Sequence, residues 1–194
     1  MDLNFSCRCG TLRGVFHEAE ARDGARLVCY CKDCRAAARH LGALDALEPG
    51  GGSPIFQTLP ARIEITHGAE NLGCLRLSPK GLHRWYATCC DTPVANTGGS
   101  AAIPVAGLWR PLIEEPGRLP GREARVFVQQ AQPAAQGPRR NRGLAGVALG
   151  LAVRGISAML HGRLRAGPFF DADGAPVAAP RVLTDEERQS AYAE

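Results

Sequence analysis

A chain of 194 residues and 20.6 kDa has room for one principal core and is too short for two large domains. Its 45% hydrophobic and 22% charged residues, with a mean hydropathy of -0.14, exclude a disordered or fibrous polypeptide. The formal charge is +4, and nearly all basic residues are arginine because Lys32 and Lys80 are the only lysines, so no specific nucleic-acid partner is expected without a localised patch.

Met1 to Gly10 lacks a basic segment followed by an apolar one; no secretory signal is predicted and a cytoplasmic location is expected. Short apolar runs broken by turn residues then predict strands within Thr11–His17, Arg26–Tyr30, Pro54–Thr58, Arg62–Thr66, Gly73–Leu77, Leu82–Thr88, Ile103–Leu108 and Ala124–Gln130. Ile63 and Ile65 alternate with Arg62, Glu64 and Thr66, the period of a sheet with one wet face. Alanine-rich Lys32–Leu41 reads as a helix, and Gly50–Ser53 as a loop. The sequence thus predicts a mainly β, antiparallel domain over residues 1–131.

Residues 132–143, rich in Gly, Pro and polar types, read as a linker, and residues 144–194 as a helical extension and tail. Residues 131–168 hold six arginines and no acid. The stripe Leu149, Val153, Ile156, Leu160 and Leu164 has helical spacing, with Arg154, His161 and Arg165 on another face. Such a basic amphipathic helix must be covered by its own domain, by a second copy in a homodimer, or by an anionic membrane surface in a peripheral contact through residues 144–165, with Arg154, Arg163 and Arg165 facing the lipid. Its uncharged pieces fall short of the ~20 residues that span a bilayer. Thr184 with Glu187 forms a capping-box pattern for a last helix towards Tyr192.

Eight cysteines in a reducing compartment point to metal and not to disulfides. Cys29, Cys31 and Cys34 read C-x-C-x2-C, which aims three sulfurs at one ion and leaves a fourth tetrahedral position open, the arrangement of a zinc site that takes a water or substrate. Cys7 and Cys9 share a face, and with Cys89 and Cys90 they can close a four-sulfur structural site. Adjacent cysteines reach one ion only where the backbone turns, which Asp91, Thr92 and Pro93 permit. Cys74 reads as a buried apolar residue.

The segments Ser6–Gly14 (SCRCGTLRG), Cys29–Arg35 (CYCKDCR) and Leu77–Pro93 (LSPKGLHRWYATCCDTP) resemble the glutathione-dependent formaldehyde-activating enzyme and centromere protein V family over about residues 5–130. The resemblance implies a zinc-binding fold of the Mss4-like type. It implies structural zinc at Cys7, Cys9 and the later pair, and a more exposed zinc at Cys29, Cys31 and Cys34 where glutathione and formaldehyde meet. Two positions depart from the pattern. The family's C-x2-C pair falls on Ala87 and Cys90, so Cys89 substitutes for the first ligand, and Tyr30 stands where the family often has histidine.

The implied reaction is that of a carbon–sulfur lyase, in which a thiolate and a small carbonyl compound meet at the three-cysteine zinc, with Cys29, Cys31 and Cys34 as its site. Lys32 and Arg35, inside and beside the motif, would raise thiolate character and meet the carboxylates of a peptide thiol. A zinc-stabilised binding module without catalysis and a thiol or metal sensor are the alternatives.

Overall fold

Leu3 and Phe5 are buried while Asn4 faces solvent, and this period of two makes β1 (Leu3–Ser6) a half-buried strand. It pairs with β2 (Arg13–Phe16), which pairs with β5 (Ile63–His67), giving a three-stranded antiparallel sheet in the order β1-β2-β5. The computed structural model describes residues 1–17, 24–160, 162 and 167–193.

The larger sheet is assembled from β3 (Gly24–Cys29), β4 (Ser53–Thr58), β6 (Leu72–Arg76), β7 (His83–Ala87), β8 (Thr92–Thr97), β9 (Ala106–Trp109), β10 (Ala124–Val126) and β11 (Arg181–Val182). Its order is β10-β3-β4-β9-β8-β7-β6-β11. The inner pairs are antiparallel, whereas β10 on β3 and β11 on β6 are parallel. The mainly β, largely antiparallel reading therefore holds. The core joins both sheets: Phe16 meets Phe56 edge-on with ring centroids 5.2 Å apart, and Trp85 lies 5.2 Å from Phe169 and 5.9 Å from Phe170. Aromatic pairs at these separations add to the burial of their own apolar area.

Helix α1 (Lys32–His40) buries Cys34, Arg35 and Ala36–Ala38. Helix α3 (Asp185–Tyr192) packs against it, and Leu183 and Ala191 join Ala36, Ala37, Leu41, Leu75 and Leu77 in one apolar cluster. The Thr184–Glu187 capping box forms as expected. Residues 132–143 carry no regular element, yet they are tied down: Gln132 donates its N–H to Gly50 O, Asn141 Oδ1 accepts from Val128 N–H, and Arg142 bridges Arg125.

The strand expected over Ala124–Gln130 ends at Val126, because Phe127 takes a left-handed φ of 58° and Val128–Gln130 turn into a 3-10 helix. The run Ile103–Leu108 pairs only from Ala106, after Pro104, which has no N–H to give a ladder. Helix α2 (Leu144–Leu160) begins before the predicted stripe and docks through another face. Val147, Arg154 and Ala158 are buried, with Arg154 Nη2 3.4 Å from Gln57 Oε1 on β4, while Leu149, Val153, Ile156 and Leu160 are exposed. On the docked face Gly150 leaves room for the Arg154 guanidinium, whose Nη1 lies 2.8 Å from where a Cβ would stand. Docking through the apolar stripe is thereby corrected: the stripe looks outward. His161, Arg163, Leu164 and Arg165 lie outside the described residues. Among the described residues no helix is long and apolar enough to cross a membrane.

Candidate metal centres

The sequence after β1 folds back at once: Gly10 takes a φ of 76°, donates its N–H to Cys7 O, and Cys7 N–H reaches Leu12 O. This tight turn points Cys7 and Cys9 to one side, and Leu12 N–H donates to Cys7 Sγ at 3.3 Å. Facing it is the turn between β7 and β8, where Asp91 adopts a φ of 53° and Cys90 N–H bonds Ala87 O. Arg8 locks the two turns together, its backbone N–H on Thr92 Oγ1 and its Nη2 2.6 Å from Cys90 O.

These turns bring Cys7, Cys9, Cys89 and Cys90 into one group that can hold a metal ion. The Sγ separations are 3.6 Å for Cys7–Cys9, 3.3 Å for Cys9–Cys89, and 3.8 Å for both Cys7–Cys89 and Cys89–Cys90. Four thiolates around an ion at a metal–sulfur distance of about 2.3 Å would stand about 3.8 Å apart, so the donor set fits a tetrahedral sulfur-liganded metal. Ala87 is buried in β7, whereas Cys89, two residues on, belongs to the sulfur group. The Thr11 hydroxyl and backbone N–H, helped by Cys89, bring the Cys9 thiol down to about 6, so a thiolate is already favoured there.

The second group, Cys29, Cys31 and Cys34, sits where β3 runs into α1 and can also hold a metal ion. Cys31 is the N-cap of α1, its Sγ accepting from Cys34 N–H at 3.3 Å, and Cys29 Sγ lies 3.4 Å from Cys31 Sγ. The unpaired N–H groups and dipole of a helix start favour anionic sulfur. Hydrogen bonds from Cys29 and Cys31, together with the Arg84 guanidinium, hold the Cys34 thiol well below its ordinary value even though it is buried. Cys29 moves the other way, because its proton is held between Cys31 and Cys34 and it is out of water.

Arg84 is the residue that sequence reasoning passed over. It stands on β7, 4% exposed, with Nη1 3.5 Å from Cys34 Sγ. An arginine inside the apolar run Leu82–Thr88 was the available signal, since a buried guanidinium needs an anionic partner. Cys34, Cys31 and Asp33 keep it charged against the cost of its burial.

Above the three sulfurs opens a cavity of about 520 Å³. Cys29, Cys31, Cys34 and Arg84 line it with the polar Gln57, Asn96, Thr97 and Gln130 and the apolar Leu27, Ile55, Val105, Val126 and Val147. Lys32 and Arg35 border a different hollow of about 280 Å³, with Arg39 and Ala191–Ala193. Lys32 N–H and Arg35 Nη1 both hold Gln130, which lines the larger cavity, through its side chain and its carbonyl. Tyr30 turns to the other side of the sheet against Val28 and Val128. Cys74 is buried in β6, in neither group, and burial pushes its thiol up to about 12.

Residues 2–116 match the family of unknown function DUF6151. The chain belongs to that family. Both cysteine groups and Arg84 fall inside the DUF6151 match, whereas β10, α2 and the tail fall beyond it. A Rhodobacter sphaeroides protein of known crystal structure is similar over 62% of this chain and 98% of that chain, with 16% identity and a TM-score of 0.43. Comparison with curated proteins finds no match.

Proposed function

We propose that both cysteine groups hold zinc, and that this DUF6151 protein is a carbon–sulfur lyase-like enzyme joining a thiol to a small carbonyl compound such as formaldehyde. The observation that supports this reading most is the grouping of three thiols and a buried arginine in the lining of a roomy cavity. Cys7, Cys9, Cys89 and Cys90 fill a tetrahedral set and suit a structural ion, whereas Cys29, Cys31 and Cys34 leave one position for a ligand. The motifs shared with the formaldehyde-activating family lend the same support.

Zinc at the three-cysteine group would supply Lewis acidity that lowers the pKa of a thiol ligand. The chain's own contribution is to prepare that place. The helix start at Cys31 and the Arg84 guanidinium offset the negative charge of the sulfurs, and the apolar walls keep water from competing. Addition then forms one C–S bond: the thiolate sulfur donates its pair to the carbonyl carbon, the C=O π pair goes to oxygen, and the proton lost by the thiol ends on that oxygen. The product is a hemithioacetal, with nothing oxidised or reduced, and its cleavage is the reverse. Positioning and thiol ionisation suffice for such a reaction.

The test is to load the protein with cobalt, add thiol and formaldehyde, and follow hemithioacetal formation against the uncatalysed rate. A faster rate that disappears in Cys34→Ser supports the enzyme. A rate equal to the background, with metal bound, would turn the reading into a zinc-stabilised module.

A further inference from the structure

Glutathione carries two carboxylates and an ammonium group, and each needs a partner wherever it leaves water. The cavity above Cys29, Cys31 and Cys34 has no charged group to spare: its other polar lining side chains, Gln57, Asn96, Thr97 and Gln130, are uncharged, and Gln57, Thr97 and Gln130 already bond Arg154, Trp85 and Lys32. Among its described lining residues the charged side chains are Arg84 and Asp33. Arg84 faces Cys34 Sγ, and Asp33 Oδ1 accepts the Tyr192 hydroxyl at 2.7 Å. Lys32 and Arg35 border the other hollow. The walls instead belong to Leu27, Ile55, Val105, Val126 and Val147, and the rim carries large apolar side chains that stay in water: Leu82, Phe127 and Leu144 are 48%, 46% and 53% exposed.

Exposed apolar side chains gathered at one mouth are an unfilled contact surface, and a cavity of this size and lining is suited to an apolar small molecule. Taking the reading that the three cysteines hold a metal open to a soft donor, we infer that its thiol partner is lipophilic: a thiol with an uncharged, mainly aliphatic body. The sulfur goes to the open position, and the body lies between the sheet and α2. Four of the named contacts, Val126, Phe127, Leu144 and Val147, come from beyond the matched family residues, so this preference is built by the chain's own C-terminal part.

The experiment uses the full chain loaded with cobalt, titrated with propane-, butane-, pentane- and hexanethiol and with glutathione, following the sulfur-to-cobalt absorption. Affinity is expected to rise roughly fourfold per methylene until the cavity is full, because each buried CH₂ contributes about 0.8 kcal/mol, with glutathione weaker than butanethiol. Leu82→Ser with Leu144→Ser, both at exposed positions, should flatten the chain-length dependence while cobalt content stays at the unsubstituted level. Glutathione binding more tightly than hexanethiol, or no dependence on chain length, overturns the inference and leaves the metal reading standing. Cobalt content that does not fall in Cys31→Ser shows that the group holds no metal, and overturns both.

Discussion

The two cysteine groups use the same atoms for opposite ends. The four-sulfur group draws on residues 82 apart, from the turn after β1 and the turn before β8, so a metal held there would tie the three-stranded sheet to the eight-stranded one. The three-sulfur group is assembled within six residues, at a strand end and a helix start, so its sulfurs alone join no distant segments. A cross-link that closes a long loop removes more freedom from the unfolded chain than a local one. The contrast teaches that, if both groups hold metal, sequence separation more than ligand type would divide a fold-holding site from one free to bind something else.

The sharpest way to break that contrast is Cys7→Ser. It removes a ligand from the long-range clamp and a buried sulfur from the main core, and should cost several kcal/mol and one metal equivalent, seen together in thermal melting and metal analysis. Next comes Arg84→Met. Without the guanidinium the Cys34 thiol ionises less readily, so metal uptake by the three-cysteine group should weaken roughly 10- to 100-fold and shift to higher pH in a chelator competition. Equal metal loss from both groups would erase the distinction between them.

Cys31→Ser sharpens the comparison from the other side. A serine still caps α1, so the protein should stay folded while losing one metal equivalent. Ile156→Asp with Leu160→Asp should change stability by no more than about 0.5 kcal/mol at fixed protein concentration, because both side chains are exposed. Loss of a dimer in sedimentation, or of binding to anionic vesicles, would then show which partner covers the stripe. The smallest effect belongs to His17, whose pKa is raised first by its hydrogen bond to Glu64, at 2.7 Å, and then by Asp2. This stabilisation is fully present below the ordinary histidine value and fades as pH rises through the raised one. The half-exposed site limits it to a fraction of a kcal/mol, and His17→Gln should flatten that slope in pH-dependent melts.

Much of this was legible in the residues. Alternation gave β5 and alanine content gave α1, because each is a local pattern with a local cause, and the cysteine spacing picked out both groups that can hold a metal. What escaped needed distant partners. The strand Thr92–Thr97 contains Pro93 and Asn96, poor strand formers that are held by β7 and β9 on either side. Arg84 reads as a surface charge until Cys34, 50 residues away, is brought against it. The outward turn of the α2 stripe likewise depends on what the sheet offers, Gln57 for Arg154.

The order of the large sheet also bears on how the chain is made. Both of its edges are finished late: β10 covers β3, and β11 covers β6, and each is a short parallel strand of three and two residues. While a nascent chain emerges, β3 and β6 are complete long before residues 124–126 and 181–182 arrive, and their open N–H and C=O rows are templates for another molecule. A fragment cut to the matched residues 2–116 would keep all seven cysteines of the two groups and yet expose both edges at once. Such a fragment is expected to aggregate, and the C-terminal third then serves the sheet as a pair of selvedges that keep the weave from unravelling into its neighbours.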